Sequence, residues 1–91
     1  MTEEAKPRLI MFTGTECTHC HEMEPLVEKL EQELGIKVER LEVWHNEENN
    51  ALREKLDNGR CGGIPFFYNE KTKEVICGNT DFEALKAWAT G

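Results

Sequence analysis

The spacing of two cysteines is the feature of this sequence best suited to chemistry. Cys17 and Cys20 are two residues apart, shortly after the apolar stretch Leu9–Phe12 and at the start of a helical pattern. Two cysteines at this spacing can form a disulfide in the first turn of a helix, where unpaired N–H groups and the helix dipole favour a thiolate. Because only the thiolate is nucleophilic, position and residue type both indicate thiol–disulfide chemistry.

Length and charge limit the classes of function. The chain has 91 residues, with 11 Lys and Arg against 18 Asp and Glu, and a formal net charge of −7. This length predicts one domain over residues 1–91, with a polar leader over residues 1–7. The interspersed negative charge argues against nucleic acid and anionic membranes as partners. Since the sequence has no secretory signal and no stretch long and apolar enough to span a membrane, we expect a cytoplasmic protein, and a monomer.

The first part of the chain predicts a strand, a long helix and a second strand. Arg8–Phe12 is short and mostly apolar, and Ile36–Val43 alternates apolar with polar side chains, as strands do. Between them, apolar residues recur at helical spacing from the cysteine pair to Gly35, where the helix is expected to end. Pro25 lies inside this helix and is expected to kink it.

A second helix is predicted after Asn46, whose side chain suits the N-cap position. Leu52 and Leu56 are expected on its buried face. Asn58-Gly59 is expected to end it, because both residues tolerate the left-handed conformation found at helix C-termini.

The last third of the chain predicts a β-hairpin and a final helix. Phe66–Tyr68 and Glu74–Cys77 are short apolar strands separated by polar turn residues, and Pro65 stands at the head of the first of them. Thr80 and Glu83 fit a capping box that opens the last helix. The resulting order, β-α-β-α-β-β-α, predicts an α/β fold with a four-stranded mixed sheet and helices on both faces.

Four separated motifs make the sequence similar to the thioredoxin superfamily: Cys17-Thr18-His19-Cys20 after a strand, Pro25, Ile64-Pro65 before a strand, and Gly78 after the last strand. The resemblance spans nearly the whole chain. It implies a minimal thioredoxin fold, close in size to the glutaredoxin core. It also implies that Pro65 follows a cis peptide bond and that its loop faces the cysteine pair.

The resemblance further implies a thiol–disulfide oxidoreductase acting on protein disulfides. Cys17, the more exposed cysteine, would attack a substrate disulfide, and Cys20 would resolve the mixed disulfide. Gly63, Ile64 and the peptide before Pro65 would hold the substrate backbone. No bound cofactor is expected, and electrons would come from a thioredoxin reductase or from glutathione.

At two positions the sequence departs from the superfamily pattern. Met11 stands where thioredoxins have a buried carboxylate that accepts the proton of the second thiol, and Glu16 stands where they have tryptophan. Proton transfer from Cys20 is then expected to use water, Glu24 or His21. If the pH profiles of Glu24→Gln and His21→Ala matched that of the wild type, neither side chain would be involved.

His19 lies between the two cysteines, as a histidine does in the isomerases and oxidases of the superfamily. A cationic imidazole near Cys17 would stabilise the thiolate and make the disulfide a better oxidant. We therefore expect a reduction potential above the value of about −270 mV typical of thioredoxin. Glu16 and Glu22 place negative charge nearby and oppose this effect.

A glutathione-dependent, glutaredoxin-like enzyme is an alternative within the superfamily. Thr80 and Asp81 follow a glycine turn, as residues of the glutathione site do in glutaredoxins. Gly14, however, stands where glutaredoxins have a basic residue, and the capping box already explains Thr80.

A zinc-binding or regulatory module is an alternative of a different class. Cys17, Cys20 and His21, with Cys61 or His45, could supply nitrogen and sulfur ligands, although the spacing lacks a second close ligand pair. The first three also form the Cys-x-x-Cys-His pattern of c-type haem attachment. A cysteine pair at a helix start in a compact domain does not suit covalent haem.

The other two cysteines, Cys61 and Cys77, are compatible with more than one role. Cys61 is expected to be a buried spare thiol, with a third redox cysteine as the alternative, and Cys77 is expected to be a core residue. The sequence is also compatible with a disulfide between the two. Trp44 and His45 follow the second strand and are expected to flank the active face, whereas Trp88 is expected to pack under the last helix.

Overall fold

The structure, a computed structural model, describes residues 8–90 of the chain. These residues form four strands and three helices in the predicted order. The elements are β1 (Leu9–Thr13), α1 (Thr18–Leu34), β2 (Val38–Glu42), α2 (Glu47–Asp57), β3 (Phe66–Asn69), β4 (Val75–Cys77) and α3 (Phe82–Thr90). The predicted minimal thioredoxin fold is therefore confirmed.

The four strands form one mixed sheet in the order β2-β1-β3-β4. β1 pairs in parallel with β2, with Leu9 opposite Val38, and antiparallel with β3. β3 and β4 form the predicted antiparallel hairpin, with Phe66 opposite Cys77. β2 and β4 are consequently the edge strands, and the central strands β1 and β3 are almost entirely buried.

The two faces of the sheet bury separate apolar clusters, because successive side chains of a strand point to opposite faces. One face lies under α1 and α3, and its cluster includes Met11, Phe67, Cys17, Cys20, Val27, Leu30, Leu85 and Trp88. The other face lies under α2, and its cluster includes Ile10, Phe12, Phe66 and Tyr68, with Leu52, Leu56 and Cys61 packed against it. Helices therefore cover both faces, as predicted.

The long helix α1 has a capping residue at each end. Cys17 occupies the N-cap, and Gly35 ends the helix in the left-handed conformation with φ of 65°, which glycine adopts without steric cost. The helix is continuous through Pro25, whose side chain is exposed. Within residues 8–90, no helix is long and apolar enough to cross a membrane.

The cap of α3 differs from the prediction. Asp81, not Thr80, is the N-cap residue: its Oδ1 accepts a hydrogen bond from the N–H of Ala84 at 2.8 Å, and its carbonyl accepts from Leu85. A charged carboxylate is favoured at the positive end of a helix, so the helix begins one residue later than a Thr80–Glu83 capping box requires.

Leu52 and Leu56 face the sheet from α2, as predicted, and are half-buried against its apolar cluster. The most buried residues of this helix are two that the prediction did not include, Arg53 and Asp57. Arg53 Nη1 lies 3.2 Å from Asp57 Oδ2, and Asp57 is 2% exposed. The carboxylate also accepts hydrogen bonds from the N–H groups of Cys61, at 2.5 Å, and Gly62, at 2.7 Å. A buried charged pair therefore holds the start of the segment between α2 and β3.

Candidate active site

Cys17 and Cys20 form a disulfide at the N-terminus of α1. Cys17 has extended backbone angles, φ −82° and ψ 108°, and its Sγ accepts a hydrogen bond from the N–H of Cys20 at 3.2 Å. Cys17 is 6% exposed and Cys20 is 0% exposed. Cys17 is thus the more exposed of the two, but only its outer edge reaches solvent.

The loop before Cys17 is organised by one carboxylate that the sequence analysis did not single out. Glu42, at the end of β2, accepts hydrogen bonds from the backbone N–H groups of Thr15, Trp44 and His45, at 3.1, 3.2 and 2.8 Å. Desolvation raises the pKa of Glu42, but the hydrogen bonds from His45 and Thr15 and the charge of His45 outweigh it, so the net pKa is lowered. Glu42 therefore joins the loops that follow β1 and β2 at the same edge of the molecule.

Glu16, directly before Cys17, is paired with His45. His45 Nε2 lies 2.9 Å from Glu16 Oε1, and the hydrogen bond and charge of Glu16, together with the charge of Glu42, raise the pKa of His45. At pH values where His45 is protonated, its charge offsets the negative charge of Glu16. At those pH values Glu16 opposes a Cys17 thiolate less than the sequence alone indicates.

Trp44 and Ile64 lie against the backbone of Gly14. A Cβ on Gly14 would be 2.6 Å from Trp44 Cδ2 and 2.8 Å from Ile64 Cδ1, closer than side chains can pack. Trp44 is 52% exposed, and among residues 8–90 it is the one large apolar side chain that is exposed. The absence of a side chain at Gly14 therefore lets the loop after β2 and the loop before β3 meet beside the disulfide.

Gly14→Ala is expected to destabilise the fold by about 1–3 kcal/mol, because the added methyl overpacks the contact with Trp44 and Ile64. The midpoint of thermal unfolding would fall by roughly 4–8 °C for each kcal/mol in a domain of this size. Gly63→Ala is the matched control, since a Cβ there meets nothing within 4 Å and the backbone is not left-handed. Equal melting temperatures for both variants would contradict the predicted clash.

A shallow cleft lies beside the disulfide. Its volume is about 180 Å³, and it is lined by His19, Ile64, Pro65, Gly78 and Asn79. These residues come from the start of α1, the segment before β3 and the segment after β4. The cleft is thus the place where three separate parts of the sequence meet next to the cysteine pair.

The peptide bond between Ile64 and Pro65 is cis, and the Pro65 carbonyl accepts a hydrogen bond from the N–H of Gly78 at 2.8 Å. Pro65 is buried, Ile64 is half-buried and Gly63 is exposed. Backbone groups before Pro65 are therefore accessible at the rim of the cleft.

His19 is exposed in the first turn of α1, with its Nδ1 3.2 Å from Glu22 Oε1. Glu22 also accepts a hydrogen bond from Asn79 Nδ2 at 2.8 Å. The hydrogen bonds from Asn79 and then His19 lower the pKa of Glu22. The first turn of α1 contains no acidic residue, so no carboxylate there opposes a charge on Cys17.

The groups considered for proton transfer from Cys20 are bound elsewhere. Met11 is fully buried in the same cluster as the two cysteines and supplies no carboxylate. Glu24 Oε1 pairs with Arg40 Nη2 at 3.1 Å, and His21 Nε2 lies 2.6 Å from the carbonyl oxygen of Thr15. Both side chains therefore have partners other than Cys20.

The proposed zinc ligands do not converge. His45 pairs with Glu16, His21 with the Thr15 carbonyl, and Cys61 is bonded to Cys77. Among residues 8–90, no group of three or more His, Cys, Asp or Glu side chains could hold a metal ion. The arrangement gives no support to a zinc site.

The residues of the glutathione alternative are only partly free. The carboxylate of Asp81 caps α3, and Thr80 is half-buried beside it. Gly14, which replaces the basic residue of glutaredoxins, is covered by Trp44. A long basic side chain could not be accommodated there without displacing the indole.

Cys61 and Cys77 form a second disulfide, with their Cα atoms 5.3 Å apart. The expectation that Cys61 is a spare buried thiol is therefore wrong: it is half-buried and bonded. Cys77 is exposed rather than a core residue, because β4 is an edge strand and Cys77 is its last residue. The signal in the sequence was the presence of two further cysteines on either side of a predicted hairpin strand.

Comparisons with known proteins agree with this geometry. The sequence profile of the thioredoxin family matches residues 1–91. No curated relative matches the sequence significantly. Among solved structures, an uncharacterised thioredoxin-like protein from Clostridium perfringens superposes with a TM-score of 0.78 at 19% identity, over 97% of this chain and 71% of that chain.

Two thioredoxins are also similar in structure. A thioredoxin variant from Halobacterium salinarum NRC-1 superposes with a TM-score of 0.73 at 28% identity, over 92% of this chain and 72% of that chain. Thioredoxin 1 from Thermosipho africanus TCF52B superposes with a TM-score of 0.67 at 14% identity, over 88% of this chain and 86% of that chain. The profile match over the whole chain, together with the fold and the cysteine pair at the start of α1, establishes that the chain belongs to the thioredoxin family.

Proposed function

We propose that this protein is a thiol–disulfide oxidoreductase that exchanges electrons with protein disulfides through Cys17 and Cys20. The observation that carries this proposal is the position of Cys17 Sγ at the N-cap of α1, where it accepts the N–H of Cys20. In the reduced protein the same N–H would donate to a thiolate, and such charge-assisted hydrogen bonds are stronger than neutral ones. The helix dipole adds to this stabilisation.

The exchange proceeds in two steps. The Cys17 thiolate attacks one sulfur of the substrate disulfide, forms a mixed disulfide and releases the other substrate sulfur as a thiolate. The Cys20 thiol then loses its proton and attacks Cys17 Sγ, which releases the second substrate sulfur. The Cys17–Cys20 disulfide has formed and the substrate has gained two electrons. Its two sulfurs take up one proton that came from Cys20 and one from water, which replaces the proton that Cys17 had lost on ionisation.

The proton of Cys20 needs an acceptor other than a buried carboxylate. Glu24 and His21 are engaged by Arg40 and by the Thr15 carbonyl, so we assign this role to the departing substrate thiolate or to water. This assignment predicts that Glu24→Gln and His21→Ala leave the pH profile of the second step unchanged.

Substrate binding is assigned to the cleft beside His19. An extended substrate segment would lie along Gly63, Ile64 and the peptide before Pro65, with its disulfide facing Cys17. Backbone recognition of this kind suits many sequences. Partners with basic contact patches would be favoured by the net charge of −7.

We also propose that the protein acts as a cytoplasmic monomer without a bound cofactor. A thioredoxin reductase or glutathione would return two electrons to the Cys17–Cys20 disulfide. The carboxylate of Asp81 is used to cap α3, and Gly14 is covered by Trp44. Both observations favour a dithiol mechanism over a glutathione-dependent one.

The proposal is tested by trapping the mixed disulfide. The reduced Cys20→Ser variant is mixed with a peptide that contains one intramolecular disulfide, and the products are identified by mass. The expected product is protein bound to one peptide through Cys17. With wild type, the expected products are reduced peptide and protein that has lost two hydrogens. An absence of any adduct at Cys17 together with unreduced peptide would disprove the proposed activity.

His19→Pro is expected to lower the reduction potential of the Cys17–Cys20 pair. The substitution removes an imidazole that can stabilise the Cys17 thiolate, and a less stable thiolate makes the disulfide a weaker oxidant. The potential is measured by equilibrating each protein in defined glutathione buffers and counting thiols by mass. An unchanged potential would show that His19 does not tune the pair.

A further inference from the structure

The second disulfide lies on the opposite face of the sheet from the first. Cys77 pairs with Phe66 across β3 and β4, and directly paired residues point to the same face. Phe66 and Cys61 both belong to the cluster under α2, whereas Cys17 and Cys20 belong to the cluster under α1 and α3. The two disulfides are therefore separate sites.

The second disulfide nevertheless joins two sides of the cleft. Cys61 is three residues before Ile64, which lines one side, and Cys77 directly precedes Gly78, which lines another. The bond closes a loop between residues 16 apart that contains Pro65 and β3. Reduction or oxidation of Cys61–Cys77 can therefore change the position of the cleft walls without any contact with the Cys17–Cys20 pair.

Apart from the disulfide, local hydrogen bonds hold the two ends of this bond. On one side the Asp57 carboxylate accepts the N–H groups of Cys61 and Gly62. On the other side the edge strand β4, of three residues, pairs with β3, and the N–H of Gly78 donates to the Pro65 carbonyl at 2.8 Å. This last hydrogen bond joins the two sides of the cleft, and the disulfide is the covalent link between them.

The bond is also accessible to an attacking thiolate. Cys77 is exposed and Cys61 is half-buried. A Cβ placed on Gly62, Gly63 or Gly78 would meet no atom within 4 Å, so the surroundings are open. Exposed disulfides are typically the labile or regulatory ones, whereas structural disulfides resist reduction.

We propose that Cys61–Cys77 is a second redox-active disulfide, and that its reduction loosens the cleft and weakens substrate binding at Cys17. The regulatory part rests on the function proposed above. In the reduction, one thiolate of a dithiol attacks Cys77 Sγ and Cys61 leaves as a thiolate that takes up a proton. The second thiol of the dithiol then displaces Cys77, which yields two protein thiols and an oxidised dithiol.

The first test does not depend on catalysis. The full-length Cys17→Ser/Cys20→Ser variant, in which only the second pair can react, is equilibrated in buffers of reduced and oxidised dithiothreitol. Thiols are counted by mass and folding is followed by circular dichroism. We expect one two-electron transition while the fold is retained. If the pair is reduced only when the protein unfolds, the bond is structural and the proposal fails.

The second test measures the cleft itself. Hydrogen exchange is compared in the oxidised and reduced forms of the same variant. The amide of Gly78, which donates to the Pro65 carbonyl across the cleft, is expected to exchange about tenfold faster after reduction. The amides of β1 and the Gly62 amide bound by Asp57 are expected to keep their protection. Unchanged exchange at Gly78 would contradict the loosening.

The third test uses the wild type and a Cys61→Ser/Cys77→Ser variant with a disulfide peptide as substrate. The KM of the variant is expected to rise about three- to tenfold with little change in kcat, since substrate must order the cleft on binding. The potential of Cys17–Cys20 is expected to stay the same. An equal KM overturns the regulatory role. A wild type inactive in this assay would instead refute the proposed function, leaving the first two tests to decide the second disulfide.

Discussion

Replacing Cys17 with serine is expected to lower the rate of disulfide exchange by about three orders of magnitude or more, because a neutral hydroxyl replaces the nucleophilic thiolate. The fold should survive the change. Serine is among the best N-cap residues, so its Oγ can accept the N–H of Cys20 as Cys17 Sγ does. The measurement is the rate of reduction of a disulfide peptide by excess reduced protein, with circular dichroism as the check of folding.

Cys20→Ser is the matched control for this prediction. It makes the same atomic change three residues further along α1 but leaves the nucleophile in place. We expect it to react with one equivalent of substrate and then stop at the mixed disulfide. If Cys17→Ser formed the mixed disulfide and Cys20→Ser did not, the roles of the two cysteines would be reversed.

Asp57→Asn is expected to destabilise the folded protein by about 3 kcal/mol. The buried carboxylate accepts the N–H groups of Cys61 and Gly62 and pairs with Arg53. An amide cannot satisfy both donors and leaves the Arg53 charge without its buried partner. The melting temperature should fall by roughly 12–24 °C, at 4–8 °C for each kcal/mol.

The effect of Asp57→Asn should depend on pH. Burial raises the pKa of Asp57, but the hydrogen bonds from Gly62 and Cys61 and the charge of Arg53 outweigh burial, so the net pKa is lowered. A lowered pKa in the folded state stabilises the protein at pH values above the unfolded carboxyl pKa of about 3.9, and the contribution is lost as the pH falls through the folded pKa. The difference in free energy of unfolding between the wild type and Asp57→Asn should therefore become smaller below about pH 4.

Glu54→Gln is the control for Asp57→Asn. Glu54 lies 3.8 Å from the same Arg53, but its side chain is exposed. Exposed ion pairs contribute little to stability, so loss of the Glu54 charge should lower the free energy of unfolding by less than about 1 kcal/mol. Comparable destabilisation by the two substitutions would mean that the buried contacts of Asp57 do not anchor the segment before β3.

The element order and the cysteine pair could be predicted because both depend on local patterns. Apolar residues at helical or strand spacing define α1 and β1, and Gly35 marks a helix end whatever the tertiary structure. The site at the start of α1 follows from the same local information. Local information does not decide the N-cap of α3, because Thr80 and Asp81 are both good caps, and the structure uses Asp81.

The buried pair of α2 could not be found from periodicity, because Arg53 and Asp57 at i, i+4 look like an exposed ion pair. One signal was available: an aspartate in the last turn of a helix is unfavourable with respect to the helix dipole unless it has other partners. Asp57 has them in the two N–H groups that follow Asn58-Gly59.

The second disulfide depends on the path of the segment between α2 and β3. The local contacts of Asp57 fix only the start of that path, and the position of its far end follows from the register of Phe66 opposite Cys77 in the sheet. The position of Glu42 is non-local in the same way, because it joins two loops that are distant in sequence. Long-range contacts of this kind are what a single sequence does not provide.

The two tryptophans of the chain report on different events. Trp44 is about half exposed and packs against Gly14 close to Ile64, which lines the cleft. Trp88 is buried, with its ring edge-on to Phe67 and its indole N–H donating to the Glu74 carbonyl. An indole's emission shifts to longer wavelength in water, so the two bands should be separable. Fluorescence of the Trp88→Phe variant would follow occupancy of the cleft, and that of Trp44→Phe would follow unfolding, without any attached label.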